Sequence, residues 1–248
     1  MADIVYCEWL KLKRSKILLI GVLGSLMVPF LVAVNDIRIA AAKPEASLSL
    51  YGLYEDTMMF IMLLFGPLVL AVVATYLINR EYTERTLKTI FVLPVERAAF
   101  LSGKFIMLFL LISLFMLLSW LDILVIALVC HLFLGGQAVT AFQAAVILLW
   151  MERGGMLMFM TLTPFVYLAL RTKGSIAPFI VIAGISLLNV VLSASPIACF
   201  WPWTASWLLQ TGRYAQTGGS ARFGFLLLAG VCGLGICAAL RRFGREEV

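Results

Sequence analysis

Six apolar runs, each about as long as a membrane-crossing helix, dictate what this chain can fold into. A span needs roughly 20 mostly apolar residues, and such runs occupy residues 17–34, 57–78, 105–124, 153–170, 175–195 and 223–240. Charged residues make up only 13% of the 248, against roughly 25% in soluble domains. The expected fold is therefore an all-α polytopic membrane protein with six transmembrane helices, residues 1–248 forming one transmembrane domain. The N-terminal stretch MADIVYCEWLKLKRSK is too long and too polar to open a cleavable signal, and no small-residue cleavage site follows, so the first run is expected to be retained.

The formal charge of +6 raises the question of nucleic acid, and the placement of the charges answers it. Lys11, Lys13, Arg14 and Lys16 form one cluster, the stretch 79–104 a second, Arg171 and Lys173 a third, and Arg241, Arg242 and Arg245 a fourth. If every run crosses once, all four clusters fall on one side, with fourteen of the nineteen lysines and arginines. The positive-inside rule then puts both termini in the cytoplasm, and a membrane partner replaces a nucleic-acid one. Cys7, Cys130, Cys199, Cys232 and Cys237 show no metal or redox spacing; whether Cys130 and Cys199 pair stays open.

Residues 2–15 place Val5, Trp9 and Leu12 on one helical face and Asp3, Glu8 and Lys11 on another. That pattern predicts a helix lying in the inner interface, with Lys13 and Arg14 toward anionic headgroups. In the second run, Gly66-Pro67 predicts a kink, and a neighbouring helix must satisfy the carbonyl that the proline frees.

The third and fourth runs form a hairpin whose depth is reckoned from Lys104 and Arg171. Asp122 and Arg153 each lie 18 residues from those markers, roughly 27 Å along a helix. Both should reach the outer edge at one level, which predicts an Asp122–Arg153 ion pair, or at least shared polar surroundings, with Glu152 as a competitor. Residues 123–151 stay strongly apolar, so they continue the helices, dip back, or pack on a neighbour, with Gly135-Gly136 at the turn. Lone His131 reads as an interfacial polar residue.

Arg171 to Gly174 predicts a tight cytoplasmic turn, with Ser175 capping the fifth run. Residues 196–222 are expected to form an outer re-entrant or interfacial segment. There Trp201, Trp203 and Trp207 suit an aromatic belt, or a lid that meets an amphipathic substrate. Ala229 and Gly233, with Gly230 and Gly235 nearby, have the spacing of close helix contact.

The sequence carries no HExxH, no GxSxG and no Walker A. At Gly103-Lys104 the leading glycine is replaced by Ala98, and Phe105 stands where Ser or Thr is required. No catalytic or metal-binding residues are assigned, and any ATP used must be bound by another chain.

The polar stretch 79–104, NREYTERTLKTIFVLPVERAAFLSGK, is the most charge-rich interruption of the apolar pattern. Tyr82, Thr86, Ile90 and Leu93 recur at helical spacing, while Glu81 with Arg85 and Glu84 with Lys88 are i,i+4 pairs on the side expected to be exposed. Pro94 ends that helix. The arrangement of Glu81, Thr86, Leu87, Pro94, Arg97 and Lys104 resembles the cytoplasmic loop between the second and third spans of type-2 ABC exporter permeases. Glu8 to Ser15 also resembles the opening of permeases that protect bacteria from bacitracin or lantibiotics. One departure is Arg85, where the family usually has a small residue.

The resemblance implies a permease subunit of an ATP-driven exporter in the bacterial cell membrane, moving a peptide antibiotic or another amphipathic substrate out of the membrane. It implies separate ABC ATPase chains binding ATP and Mg, a second permease as a homodimer or a related chain, and contact with membrane lipid. Glu81, Tyr82, Thr86, Leu87, Ile90, Pro94 and Arg97 would carry the coupling. The alternatives are a membrane-embedded enzyme acting on lipid headgroups and a non-transporting sensor or scaffold.

Overall fold

The computed structural model describes residues 2–13, 15–42, 49–83, 96–134, 138–174 and 176–245. Several expectations fall outside these residues: Arg14, Thr86, Leu87, Ile90, Pro94, the Gly135-Gly136 turn and the Ser175 cap. Among the described residues the regular structure is entirely helical. Short α1 (Ala2–Lys13) leads to α2 (Ile17–Ala42); α3 (Leu50–Phe60) runs through a π turn (Ile61–Phe65) into α4 (Gly66–Thr83). Then come α5 (Arg97–Leu134), α6 (Ala141–Thr172) and α7 (Ile176–Leu192). A 3-10 turn (Pro196–Phe200), α8 (Pro202–Thr211), a second 3-10 turn (Arg213–Thr217) and α9 (Ala221–Gly244) complete the chain.

Among the described residues, five helices are long and apolar enough to cross a bilayer: Ile17–Ile39, Leu50–Thr83, Arg97–Phe133, Ala141–Thr172 and Ala221–Gly244. The shorter apolar helix, α7, has 17 residues, a rise of roughly 26 Å. The apolar stretch 123–151 continues the helices. α5 runs on to Leu134 and α6 starts at Ala141, behind a capping box in which Thr140 and Gln143 satisfy each other's backbone N–H.

Among the described residues, three prolines sit within membrane-crossing helices, and each frees the carbonyl four residues earlier. Pro29 frees Ser25, whose oxygen accepts from Ser119 Oγ at 3.0 Å. Pro67 frees Leu63, whose oxygen accepts from Asn189 Nδ2 at 3.3 Å. Pro164 frees Met160, whose oxygen accepts from Thr163 Oγ1 at 3.2 Å. The kink expected at Gly66-Pro67 takes the form of the π turn, in which the Gly66 N–H reaches back to Ile61 O. A neighbouring helix supplies the missing donor, as hydrocarbon requires.

Close contact between α6 and α9 comes from Gly235, where a Cβ would stand 2.6 Å from Thr163 Oγ1 and 2.9 Å from Pro164 N. At Gly230 and Gly233 a Cβ would meet nothing within 4 Å, so within this chain the Ala229–Gly233 stripe makes no close packing. Gly235 sits on the face that meets α6, and the stripe does not.

Candidate functional site: a buried charge knot at the base of the 79–104 loop

The two helices that flank the loop do not end in open solvent. α4 brings Leu77, Arg80 and Glu81 against α1, and α5 brings Lys104 into the same spot. Glu8, Glu81 and Lys104 are 4%, 2% and 4% exposed. Burying a charge is costly unless it is paired and hydrogen-bonded, and every one of these is.

Lys104 Nζ donates to Glu8 Oε2 at 3.2 Å, to Glu81 Oε1 at 3.2 Å and to the Leu77 carbonyl at 2.8 Å. Those three acceptors match the three protons of an ammonium group. Lys11 Nζ lies 3.1 Å from Glu8 Oε1 and 2.9 Å from Glu81 Oε1, so two carboxylates face two ammonium groups. Burial works to lower the Lys11 pKa, but the Glu81 hydrogen bond and the charges of Glu8 and Glu81 outweigh it and hold the value above normal. Arg80 adds a 2.8 Å bond to the Lys11 carbonyl, in the last turn of α1. Next to Lys104, Gly103 lets α1 approach closely: a Cβ there would meet Ile4 Cγ2 at 2.7 Å.

The other helix ends reach the same base. Arg97 donates to the Gly244 carbonyl at 3.0 Å, placing a cation on the C-terminus of α9 where the helix dipole favours it. Phe100 stacks on Phe243 at 6.0 Å between centroids, and Lys104 Nζ lies 5.0 Å from the Phe100 ring. Lys173 Nζ, just past α6, lies 5.4 Å from the Tyr82 ring.

Of the residues expected to carry coupling, Glu81, Tyr82 and Arg97 all come to this base. The expected exposed face for Glu81 is not found: its side chain is buried between two lysines. Glu8 and Lys11 of α1, expected on the solvent side, turn into the protein instead, drawn by Lys104 and Glu81. Leu12 is buried, Val5 half-buried, and Trp9 and Lys13 exposed. Sequence alone makes Lys104 a marker of the membrane edge and a member of the loop pattern, without a partner. A signal of its role exists all the same: Glu8 and Lys11, one helical turn apart, are matched by Lys104 and Glu81 at the two ends of the loop.

The Asp122–Arg153 ion pair does not form. Arg153 Nε donates to Gln210 Oε1 at 3.0 Å and its Nη2 to the Gln210 carbonyl, near the C-terminus of α8. Gln210 Nε2 in turn donates to Tyr54 Oη at 3.0 Å and to the Trp150 carbonyl. Glu152 is held by Ser113 Oγ at 2.7 Å, and Trp120 Nε1 donates to Ala144 O at 2.9 Å. These contacts set the α5–α6 register and leave Asp122 roughly 10–15 Å farther along α5 than the position facing Arg153. The end markers are not level, because Lys104 is tied into protein and does not report the headgroup plane.

The tryptophans also turn inward. Trp207 is buried, and Trp203 packs on Phe165 and Trp201 at 6.0 and 5.2 Å. Trp201 Nε1 donates to Asn189 Oδ1 at 2.8 Å. Residues Thr204 to Gln210 are all buried, so α8 is a wedge within the bundle. Trp201 and Trp203 stay half-buried. All five cysteines are free thiols.

Comparison with known proteins adds the family. A model described as ABC-2 family transporter protein matches residues 4–195. This chain belongs to that family. The bacitracin transport permease protein BCRB of Bacillus licheniformis is 26% identical over 211 residues, covering 84% of this chain and 98% of that protein. The chain is thus the membrane permease subunit of an ABC exporter and a multi-pass protein of the bacterial membrane. Membership in the ABC-2 family implies partnership with an ABC ATPase, and the knot lies where two consecutive helices of this ABC-2 permease meet its N-terminal helix.

Proposed function

We propose that this permease exports a peptide antibiotic of the bacitracin or lantibiotic kind, or another amphipathic molecule, and that the charge knot couples it to ATP hydrolysis on a separate chain. The ATPase subunits bind ATP and Mg and dock below residues 79–104. The permease works as a homodimer or beside a related chain. It crosses the membrane six times with both termini inside: the five long helices each cross once, and α7 makes the remaining crossing with the short helical segments that follow it. α1 lies in the inner interface.

The observation that carries the coupling role is the position of Lys104. A push on the loop is delivered to Glu81 on one side of it and Lys104 on the other; these two pair with each other, and Lys104 also holds Glu8 of α1. α1, α4 and α5 therefore respond as one body. The substrate class is supported by the bacitracin transport for which BCRB is named and by the apolar character of the spans.

The test is a reconstituted complex with the ATPase from the neighbouring operon position. Substrate should stimulate ATP hydrolysis, and Lys104→Met should abolish that stimulation while basal hydrolysis persists. If the purified chain forms no complex with that ATPase, the transporter reading is wrong. If the complex forms and Lys104→Met leaves stimulation intact, the coupling role of the knot is wrong.

A further inference from the structure

On its outward side, α1 does not close onto α5. Between them lies an apolar hollow of about 710 Å³, lined by Tyr6, Trp9, Ile106, Leu110 and Leu114 over a floor of Leu111. Its size falls within the roughly 300–1,000 Å³ typical of small-molecule sites. A narrow apolar crevice of about 30 Å³ shares Leu111 and Leu114 and continues between α2, α4 and α5 past Gly21 and Val22 to Leu118.

The larger hollow follows α5 from Ile106 to Leu114, a rise of roughly 12 Å. That is less than half of a hydrocarbon core about 30 Å thick. With α1 in the inner interface, as proposed, the hollow opens within the inner leaflet, where the first part of an acyl chain runs. Lys13, one helical turn beyond Trp9 on α1, and Lys16, next to Ile17 of the crevice, are both exposed. Basic residues at this level attract anionic headgroups, and amphipathic rings sit at the headgroup boundary.

We propose that this cleft is a binding site for an anionic phospholipid of the inner leaflet, with an acyl chain along α5 and the headgroup at Lys13 and Lys16. The assignment rests on the proposed cytoplasmic-side placement of α1. An occupant there packs against the outer side of the helix whose inner side carries Glu8 and Lys11, so it holds α1 against the knot.

Gly21 supplies a second variant, because a Cβ there meets nothing within 4 Å and a larger side chain closes the narrow crevice. The experiment is native mass spectrometry of the permease–ATPase complex released from nanodiscs containing equal phosphatidylglycerol and phosphatidylcholine. The wild type is expected to retain at least one phosphatidylglycerol per permease. Gly21→Leu combined with Leu110→Trp should lower retention at least fivefold with an unchanged melting temperature. Lys13→Gln with Lys16→Gln should remove the preference for phosphatidylglycerol while retaining lipid. The proposal is overturned if the wild type keeps neither lipid or keeps both equally, or if the filled variant keeps as much as the wild type. Efficient cross-linking of two permeases through Leu110→Cys would also overturn it, by making the cleft an interface between copies. A permease that binds no ATPase but still retains phosphatidylglycerol leaves the lipid site standing and sinks only the transporter reading.

Discussion

Lys104 and Glu81 face each other at 3.2 Å from helices on opposite sides of the loop, with side-chain exposures of 4% and 3%. Glu8 makes an equally close contact with the same ammonium group. Removing Lys104 takes from both carboxylates the buried ammonium group that they share. Lys104→Met should therefore destabilise the permease by roughly 3–5 kcal/mol. Glu8→Gln in the Lys104→Met background should recover part of that loss. Detergent melting curves of the single and double variants measure it, and a strictly additive double variant would contradict the shared knot.

The raised pKa of Lys11 predicts a pH response. The folded state holds the proton more tightly than the unfolded chain, so this stabilisation is complete below the ordinary lysine value of 10.5 and fades as pH rises through the higher folded value. Melting temperature followed upward from about pH 9.5, just below that window, should fall more steeply for the wild type than for Lys11→Met. Parallel curves would show that Lys11 contributes nothing.

Asn189 is predicted to matter because of Pro67. Asn189→Leu strips the donor from Leu63 O and the acceptor from the Trp201 indole, at a cost of about 1–3 kcal/mol for a buried group left unpaired. Pro67→Ala restores the local helix donor, so the same Asn189→Leu change should cost less in that background. A double-mutant cycle on thermal stability reads the difference.

The helix contact at Gly235 separates two glycines that look alike in sequence. Gly235→Leu drives a side chain into the backbone at Thr163–Pro164 and should destabilise by about 1–3 kcal/mol. Gly233→Leu enters open space and should leave the melting temperature of the single chain essentially unchanged.

Charge exchange between α5 and α6 should not rescue. Asp122→Arg with Arg153→Asp is expected to be at least as damaging as Arg153→Asp alone, since Arg153 serves Gln210 and the end of α8. Gln210→Leu should mimic the loss of Arg153. Yield of folded protein by size-exclusion chromatography distinguishes these outcomes.

Much of this was legible in the chain. Five of the six apolar runs marked helices long enough to cross, Gly66-Pro67 marked the break in the second, and the requirement for a donor at the freed carbonyl was a consequence of hydrocarbon chemistry. The register of the α5–α6 hairpin was not legible, because reckoning depth from terminal charges assumes that each sits in headgroups, and Lys104 sits among carboxylates. The inward turn of Trp203 and Trp207 was hidden for a related reason: an aromatic ring suits an interface and a packed core equally well, and composition does not distinguish them. Glu8 was legible as a charge but not as a partner of Lys104, which lies 96 residues further along the chain.

The three proline breaks have a consequence for movement. The carbonyl freed in α2 is bonded from α5, and the one freed in α4 is bonded from α7. In α6 the hydroxyl that covers the break also reaches Cys232 O of α9 at 3.4 Å. Sliding α2 past α5, or α4 past α7, would strand a bare carbonyl in hydrocarbon, at several kcal/mol each, and sliding α6 past α9 would break the bridge that Thr163 makes. The six apolar helices are thus shackled as three doublets, and the knot ties two of these doublets to each other through α4 and α5.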